Sequence, residues 1–212
     1  MKITVMSYYW PNYRPLAERT VDENLREYAK KHGYEFIAYA LETKVEEDTY
    51  KASCEAGVKK AELVLRTLKI FPDADYVFHR DCDSIIMNMG IGIEEIISRY
   101  PYDILTGSDK AGISDGQMIV KNTEKAKKYI SQYLANRDNY EHQQDFMWTN
   151  PAPFLFGTPQ RVMNSYDCES RLEPLNDESN YQGGDFLIHL TGLTIEQRMK
   201  VLEKWMGRVN HG

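Results

Sequence analysis

The chain has 212 residues, of which 42% are hydrophobic and 27% charged, and its formal net charge is -6. This composition is ordinary for a globular protein and excludes a chain that is disordered throughout. The negative net charge argues against a nucleic-acid partner that is held by overall charge, and we expect none. Phosphate groups, where this chain binds them, should be held locally, with the help of a metal ion.

The three cysteines are Cys54, Cys82 and Cys168, and no CxxC pair occurs. A zinc knuckle, a redox dithiol and a disulfide framework are therefore not indicated, and this usage is typical of a reducing compartment. No apolar run approaches the about 18 residues of a membrane-spanning helix. The amino terminus lacks the cleavage pattern of a signal peptide. We expect a soluble, cytoplasmic protein with no membrane span.

The first half of the chain alternates between strand and helix patterns. Strands are predicted at 2–8, 34–41 and 75–79, and helices at 15–32, 53–70 and 92–99, with a polar loop at 42–52. Pro15 suits the first turn of the first helix, and Gly33 suits its carboxyl-terminal cap.

The second half continues the alternation, but less regularly. Strands are predicted at 103–106, 117–120 and 186–190, and a helix from Asn122 to about residue 135. The segment 137–183 is polar, is interrupted by prolines and glycines, and predicts no regular element. Thr194 to Gln197 has the pattern of a capping box, which predicts a final amphipathic helix through Trp205.

Strands that alternate with helices indicate an α/β fold with a mixed, mostly parallel central sheet flanked by helices, in a single domain. Such sheets bind ligands at the carboxyl ends of their strands. The third predicted strand ends at Arg80-Asp81-Cys82-Asp83. This acidic motif thus falls where a ligand is expected.

Asp81 and Asp83 are two residues apart, so in an extended segment their side chains point to the same side, and Cys82 points into the protein. Two hard oxygen ligands suit Mg²⁺ or Mn²⁺, and such an ion stabilises a departing diphosphate. The alternative is a pair of acidic loop residues without a ligand. The apolar segments on both sides favour a ligand, because carboxylates set among apolar residues are costly to keep unpaired.

Four further segments accompany this motif in a recognisable order. They are the opening KITVMSYY with a following YEF, the segments DGQMIVKNTEKAKKYI and EHQQDFM, and the closing GDFLIHLTG. The motif itself lies in the run KKAELVLRTLKIFPDADYVFHRDCDSIIMN. Residues 2 to 192 resemble the GT-A glycosyltransferases, most closely the galactosyl-, xylosyl- and mannosyltransferases of family 34 and more weakly family 8. The chain also looks like a glycosyltransferase domain of a large algal virus.

The resemblance implies a GT-A (Rossmann-like) fold with a nucleotide-binding half at 1–110 and a half for donor sugar and acceptor at 111–212. It implies that Asp81 and Asp83 hold Mn²⁺ (or Mg²⁺), which bridges the phosphates of a UDP-sugar, with His189 as third protein ligand. Gly192 would let the backbone approach the phosphates. The alternative for His189 is a strand-end histidine bonded to a carbonyl group, and the alternative for Gly192 is a turn glycine.

Other positions acquire candidate roles from the same resemblance. Ser7, Tyr8 and Tyr9 end the strand that receives the nucleoside, although either tyrosine could equally be core. Arg14 and Lys60 are candidate phosphate or base contacts, with a solvated surface charge as the alternative for each. Arg80 is a candidate contact to the donor sugar or phosphate.

The sugar-binding positions depart from the family pattern. Asp115-Gly116-Gln117 stands where the family has Asn-x-Gly, so Gln117 is expected to face the donor sugar with unknown hydroxyl preference. In the run Gln143-Gln144-Asp145, Gln143 replaces an acid of family 8. Gln144 is a donor contact candidate. Asp145 is a candidate for a sugar hydroxyl contact or catalysis, with a helix amino-terminal acid as the alternative.

The implied reaction moves a sugar from a nucleoside diphosphate to an acceptor hydroxyl of an oligosaccharide or glycoprotein glycan, with retention. If the enzyme inverts, a carboxylate must act as base, and Asp145 or Asp115 would be catalytic. Aromatic rings of the segment 137–183 suggest the acceptor site, namely Tyr140, Trp148, Phe154, Phe156 and Tyr166.

Three other functions remain open. A Mg²⁺-dependent phosphatase of the haloacid dehalogenase type normally carries its DxD on the first strand, with Thr or Val where this chain has Ile85. A nucleotidyltransferase would also use two carboxylates to hold a divalent ion beside phosphate groups. A non-catalytic carbohydrate-binding domain on a degenerate transferase fold is favoured by the departures at Asp115 and Gln143, while the intact Asp81, Asp83 and His189 argue against it.

Overall fold

The computed structural model describes residues 1–43, 50–109, 112–140, 143–159, 161–163, 165–166 and 181–212. The strands in these residues are β1 (Ile3–Tyr9), β2 (Glu35–Ala40), β3 (Tyr76–Arg80), β4 (Ser84–Ile86), β5 (Ile104–Asp109), β6 (Gly112–Lys121), β7 (Leu155–Gly157), β8 (Ser165–Tyr166) and β9 (Leu187–His189). The helices are α1 (Arg14–Ala17), α2 (Arg26–His32), α3 (Tyr50–Ile70), α4 (Ile93–Arg99), α5 (Glu124–Ala135), α6 (Gln143–Thr149) and α7 (Ile195–Met206). Every described helix is too short or too polar to cross a bilayer.

Six strands form the central sheet in the order β2-β1-β3-β6-β5-β7. The pairs β1–β2, β1–β3 and β5–β7 are parallel, while β6 is antiparallel to both β3 and β5. Because only β6 is reversed within this sheet, the expectation of a mixed, mostly parallel sheet is confirmed. The carboxyl end of β3, which leads into Asp81, lies near the middle of the sheet.

Helices cover both faces of this sheet, because its central strands are buried on both sides. On one face, Val5 and Phe78 pack against Val21, Leu25 and Ile96 from the first helical segment and α4. On the other face, Met6, Val77 and Met118 pack with Val64 of α3 and Ile130 of α5. The single-domain α/β architecture predicted from the sequence is therefore confirmed.

A small second sheet, in the order β4-β9-β8, lies beside the first. Strand β4 follows the acidic motif directly, and it pairs antiparallel with β9 so that Ser84 lies opposite His189. Helix α7 covers this sheet through Leu202 and Trp205, which pack on Ile85 and Ile188. The carboxyl-terminal segment thereby brings His189 next to the acidic motif of the first half.

The helical segment after β1 contains an unexpected π-helix. Residues Glu18–Leu25 adopt this wider form between α1 and α2, where the sequence predicted one regular helix. Asn24 donates to the carbonyl of Ile86 at 3.0 Å and accepts from its N–H at 2.8 Å. The hydroxyl of Thr20 donates to the carbonyl of Cys82. The π-helix therefore holds both the acidic motif and β4.

Sequence patterns located most elements but not all. Gly33 caps α2 in the left-handed conformation, and Thr194 and Gln197 form the predicted capping box. Strand β6 begins at Gly112, earlier than the predicted residue 117, since it forms a hairpin with β5. The short strands β4, β7 and β8 were not predicted, because two or three residues carry too little periodicity to register.

Candidate functional site

The acidic motif forms a turn between β3 and β4. The N–H of Ser84 donates to the carbonyl of Asp81 at 3.2 Å, so the motif is not the extended segment predicted from the sequence. The N–H of Asp81 donates to the carbonyl of Gly116 at 2.8 Å, which fixes the turn to β6. Cys82 is buried as predicted, and Cys54 and Cys82 are both free thiols.

The turn brings three candidate ligands together. Asp81, Asp83 and His189 each offer one ligand atom, and these atoms lie within 4.8 Å of one another. His189 reaches this position because β9 pairs with β4 immediately after the turn. Two carboxylate oxygens and an imidazole nitrogen are a donor set that suits a divalent ion such as Mn²⁺ or Mg²⁺.

Asp83 is bound from the carboxyl-terminal side. Its Oδ1 lies 3.2 Å from Nε2 of His189, and its Oδ2 lies 3.0 Å from Nη2 of Arg198 on α7. Burial alone would raise the pKa of Asp83, but His189 and Arg198 lower it well below the ordinary value. Asp83 is therefore ionised at neutral pH, as a metal ligand must be.

Asp81 is bound by residues of the first half. Its Oδ1 accepts from Nε2 of His79 at 3.0 Å and lies 3.3 Å from Nζ of Lys60. The same ammonium group lies 3.3 Å from the carboxylate of Asp115 and donates to its backbone carbonyl at 2.8 Å. Lys60 thus bridges the acidic motif and β6.

The pKa values in this group favour charged carboxylates beside a neutral imidazole. Burial opposes the charge on Asp81, yet Lys60 and His79 lower the pKa of Asp81. Burial would lower the pKa of Lys60, but the carboxylates of Asp115 and Asp81 raise it. Burial lowers the pKa of His79, which keeps its ring neutral and able to donate one N–H to Asp81.

Gly116 lies against two of the candidate ligands and has no side chain that would displace them. A Cβ at this position would lie 2.5 Å from Cε1 of His189 and 3.2 Å from Oδ2 of Asp81. Any side chain on this part of β6 would therefore press on two of the three candidate ligands. The donor set, with the room that Gly116 leaves for His189 and Asp81, fits a divalent metal ion.

The predicted nucleoside residues make internal contacts. The hydroxyl of Ser7 donates to the carbonyl of Arg80 at 2.7 Å, and that of Tyr8 donates to the carbonyl of Ala56 at 2.8 Å. Tyr9 is buried in the core. The core alternative of the two tyrosines thus describes their side chains, and a nucleoside contact by this strand end stays a prediction.

Three other candidates lie at the edge of this group or outside it. Arg14 is exposed, and its Nε lies 3.4 Å from the carboxylate of Glu18. Arg80 is fully buried and donates to the carbonyl of Thr20, on the face of β3 opposite to His79. Burial lowers the pKa of Arg80 to about 10. Gln117 is buried and donates to the hydroxyl of Ser84 at 2.9 Å.

The remaining predicted positions are Asp145, Gln144 and Gly192. Asp145 is in the first turn of α6, where the helix dipole stabilises a negative charge. The Gln144 side chain lies outside the described part of the structure. Gly192 has a φ of 71°, the left-handed region that favours glycine. The turn alternative therefore describes Gly192, and its phosphate role stays a prediction.

The aromatic residues proposed for an acceptor divide into two groups. Tyr140 packs on Phe146, Phe154 on Tyr129, and Phe156 stacks on Tyr102. Trp148 is 42% exposed, and the Tyr166 side chain lies outside the described residues. Of the described rings, Trp148 is the most available to a sugar.

Sequence reasoning missed three residues of the site. His79 stands two positions before Asp81 on one strand face, and this spacing could have identified it. Gly116 was noticed only as part of a motif. Arg198 is reachable only through tertiary structure, because α7 follows β9 by a turn that no local pattern specifies.

Comparison with known proteins identifies what this arrangement is similar to. Residues 5–101 match the model of the galactosyl transferase GMA12/MNN10 family. An alpha-1,2-galactosyltransferase of Schizosaccharomyces pombe is 23% identical over 84% of this chain. The chain spans about half of that relative's length, 56%.

Solved structures of glycosyltransferases share the fold. One is a glycosyltransferase involved in the glycosylation of the major capsid of PBCV-1, with a TM-score of 0.75 and 16% identity over 96% of this chain and 100% of that one. Another is the galactosyltransferase LgtC in complex with donor and acceptor sugar analogs, with a TM-score of 0.52 and 11% identity over 98% of this chain and 96% of that one. The predicted resemblance and the GT-A fold are confirmed.

Proposed function

We propose that this chain, which has the GT-A fold and resembles the galactosyl transferase GMA12/MNN10 family, is a metal-dependent glycosyltransferase. It moves a sugar from a UDP-sugar to a hydroxyl group of an oligosaccharide or glycoprotein glycan. The observation that carries the proposal is the convergence of Asp81, Asp83 and His189 at the carboxyl end of β3. Ligands bind at this edge of α/β sheets.

Asp81, Asp83 and His189 would hold Mn²⁺ or Mg²⁺, which neutralises charge on a departing diphosphate when it is bound. His79 and Arg198 keep the two carboxylates oriented, and Lys60 fixes the position of Asp115 on β6. Fixed groups of this kind stabilise charge without reorganising during the reaction.

The relatives support a first choice of donor, and the family resemblance supports an expected stereochemistry. UDP-galactose is the first donor to test, because an alpha-1,2-galactosyltransferase is among them. Retention is the expectation from the family resemblance, so Asp115 and Asp145 need not act as a strong base. If the product is inverted, either Asp115 or Asp145 is the base. Substitution of the base should abolish turnover without weakening donor binding.

The acceptor is proposed to bind near α6. Trp148 offers a half-exposed ring there, and sugars pack their apolar faces on such rings. A Trp148→Ala variant should then raise the KM for the acceptor while it leaves donor affinity unchanged. An unchanged acceptor KM would place the acceptor elsewhere.

The decisive experiment is calorimetric titration of UDP, GDP, UDP-glucose and UDP-galactose, each with and without Mn²⁺, on wild type and Asp83→Ala. Metal-dependent binding of one nucleotide that is lost in the variant supports the transferase and names its donor class. No binding of any nucleotide-sugar with Mn²⁺ present would sink the proposal. The phosphatase and the carbohydrate-binding domain would then be the next functions to test.

A further inference from the structure

Arg198 is a buried cation that reaches the site from the last helix. Its side chain is 8% exposed, and it makes three polar contacts. Nη2 lies 3.0 Å from Oδ2 of Asp83, Nε donates to the carbonyl of Leu190 at 3.0 Å, and Nη1 donates to the hydroxyl of Tyr13 at 3.4 Å. The guanidinium also lies over the Tyr13 ring, 5.6 Å from its centroid. It is therefore held against Asp83 rather than passing near it.

Each carboxylate of the acidic motif has its own buried cation. Asp83 pairs with Arg198 from α7, and Asp81 pairs with Lys60 from α3, whose side chain is 4% exposed. The two cations come from helices that are far apart in the sequence, and they converge on one turn. The charges of Asp81 and Asp83 are thus partly compensated by groups of the protein, since Lys60 also pairs with Asp115.

This compensation works against a free metal ion. A divalent ion at Asp81, Asp83 and His189 must share Asp83 with Arg198, and like charges in a buried site repel more strongly than in water. An anionic diphosphate that arrives with the ion attracts both the ion and Arg198. The same residue therefore opposes the metal alone and favours the metal together with the diphosphate.

We propose that Arg198 couples metal binding to diphosphate binding, by weakening the site for a free divalent ion and strengthening it for the ion with a nucleoside diphosphate. This inference rests on the proposed function and names a residue that sets the affinity of that site for the ion with and without the diphosphate. Arg198 acts through charge, so the coupling should disappear with a neutral side chain. It should persist more weakly with lysine, which keeps the charge but not the three contacts of the guanidinium.

The experiment measures Mn²⁺ alone, and UDP in the presence of Mn²⁺, on wild type, Arg198→Met, Arg198→Lys and Lys200→Met. Free Mn²⁺ is followed by electron paramagnetic resonance, and UDP by calorimetry. Arg198→Met should bind Mn²⁺ alone about tenfold more tightly or better, and UDP with Mn²⁺ about tenfold more weakly. Arg198→Lys should shift each affinity in the same direction as Arg198→Met, but by less.

Lys200→Met is the matched control, because Lys200 lies on the same helix, is exposed and pairs with Glu196 at 2.7 Å. It removes the same charge without touching Asp83 and should change neither affinity. Asp83→Ala placed on the Arg198→Met background should abolish the gained Mn²⁺ binding, which assigns it to this site. Thermal melting confirms that each variant is folded.

Opposite shifts in Arg198→Met establish the coupling. Equal weakening of both affinities would overturn it, since a residue with a merely structural role lowers both. Failure of the wild type to bind any nucleotide would refute the proposed function, while the Mn²⁺ arm would still report whether Arg198 restrains the metal. An unchanged affinity for Mn²⁺ alone in Arg198→Met would refute the inference even if UDP binding confirms the function.

Discussion

Asp81 and Asp83 are two residues apart, yet they belong to different parts of the molecule. The Asp81 side chain is 25% exposed and is bound by His79 and Lys60, which lie on β3 and α3. The Asp83 side chain is 11% exposed and is bound by His189 and Arg198, which lie on β9 and α7. One carboxylate is held by the first half of the chain, and the other joins that half to the carboxyl-terminal segment.

This difference separates binding from stability. Asp81 has a partner, Lys60, that would keep a second carboxylate, Asp115, if Asp81 were lost. Among the contacts described for Arg198, Asp83 is the one carboxylate. Loss of Asp83 would therefore leave a buried cation unpaired, whereas loss of Asp81 would not. Both aspartates should be essential for the metal, but only Asp83 should be essential for the packing of the small sheet.

The largest expected effect comes from truncation of each aspartate in turn. Asp83→Ala should abolish Mn²⁺-dependent nucleotide binding and lower the free energy of unfolding by about 3–5 kcal/mol, because it leaves a buried cation unpaired. Asp81→Ala should abolish binding with a smaller loss of stability. Calorimetry and urea unfolding check both. Equal unfolding midpoints for the two variants would show that the two carboxylates do not differ in this way.

A smaller effect is expected where the two regions touch at Gly116. In Gly116→Ala, the new Cβ would overlap His189, so Mn²⁺ affinity should fall while the fold is kept. Gly183→Ala is the control, because a Cβ there meets nothing within 4 Å and should change nothing. Mn²⁺ titration by paramagnetic resonance distinguishes them. Wild-type affinity in Gly116→Ala would mean that the ion does not lie beside His189.

His79 provides a test on the Asp81 side alone. His79→Phe keeps an aromatic ring beside Tyr8, 5.8 Å away in the native structure, but removes the N–H that orients Asp81. Mn²⁺ affinity should fall about 10–100-fold, as when other residues that orient metal ligands are changed. Tyr8→Phe, which removes only the hydroxyl bond to Ala56, should bind Mn²⁺ like wild type. A similar loss in both variants would point to packing rather than to Asp81.

The acid stability of the chain sharpens the same contrast on the Asp83 side. The pKa of Asp83 is lower in the folded chain than the value of about 3.9 for an unfolded one. Its stabilising effect is therefore complete above that value and is lost as the pH falls through the lower folded pKa. In Asp83→Asn, the unfolding midpoint in urea should depend less on pH below about 4. An unchanged acid dependence would assign it to other carboxylates.

Much of the fold could be predicted because long periodic segments specify it. The burial pattern of β1 and β3, the glycine after α2 and the capping box of α7 each act locally, and the structure has them where the sequence indicates. The π-helix could not be predicted, because its form depends on Thr20 and Asn24 reaching backbone groups 62 residues away. Local propensity carries no information about such partners.

The site was predictable in its ligands but not in its supports. Asp81, Asp83 and His189 were found because their order along the chain resembles a known family, and the structure brings their ligand atoms together. The local geometry was wrong, since a turn rather than an extended segment aligns the two carboxylates. Arg198 approaches through a tertiary contact, and one sequence has no pattern that reports which cation will face which acid.

The Asn24 side chain also protects the edge of strand β4 that faces away from β9. Strand β4 is an edge of the small sheet, and both backbone groups of Ile86 that face away from β9 are bonded to the Asn24 side-chain amide. An unpaired strand edge is a template on which another chain can add a strand and begin to aggregate. The amide occupies that edge with the same donor and acceptor that an invading strand would use. Asn24→Leu should therefore make the chain prone to self-association at high concentration.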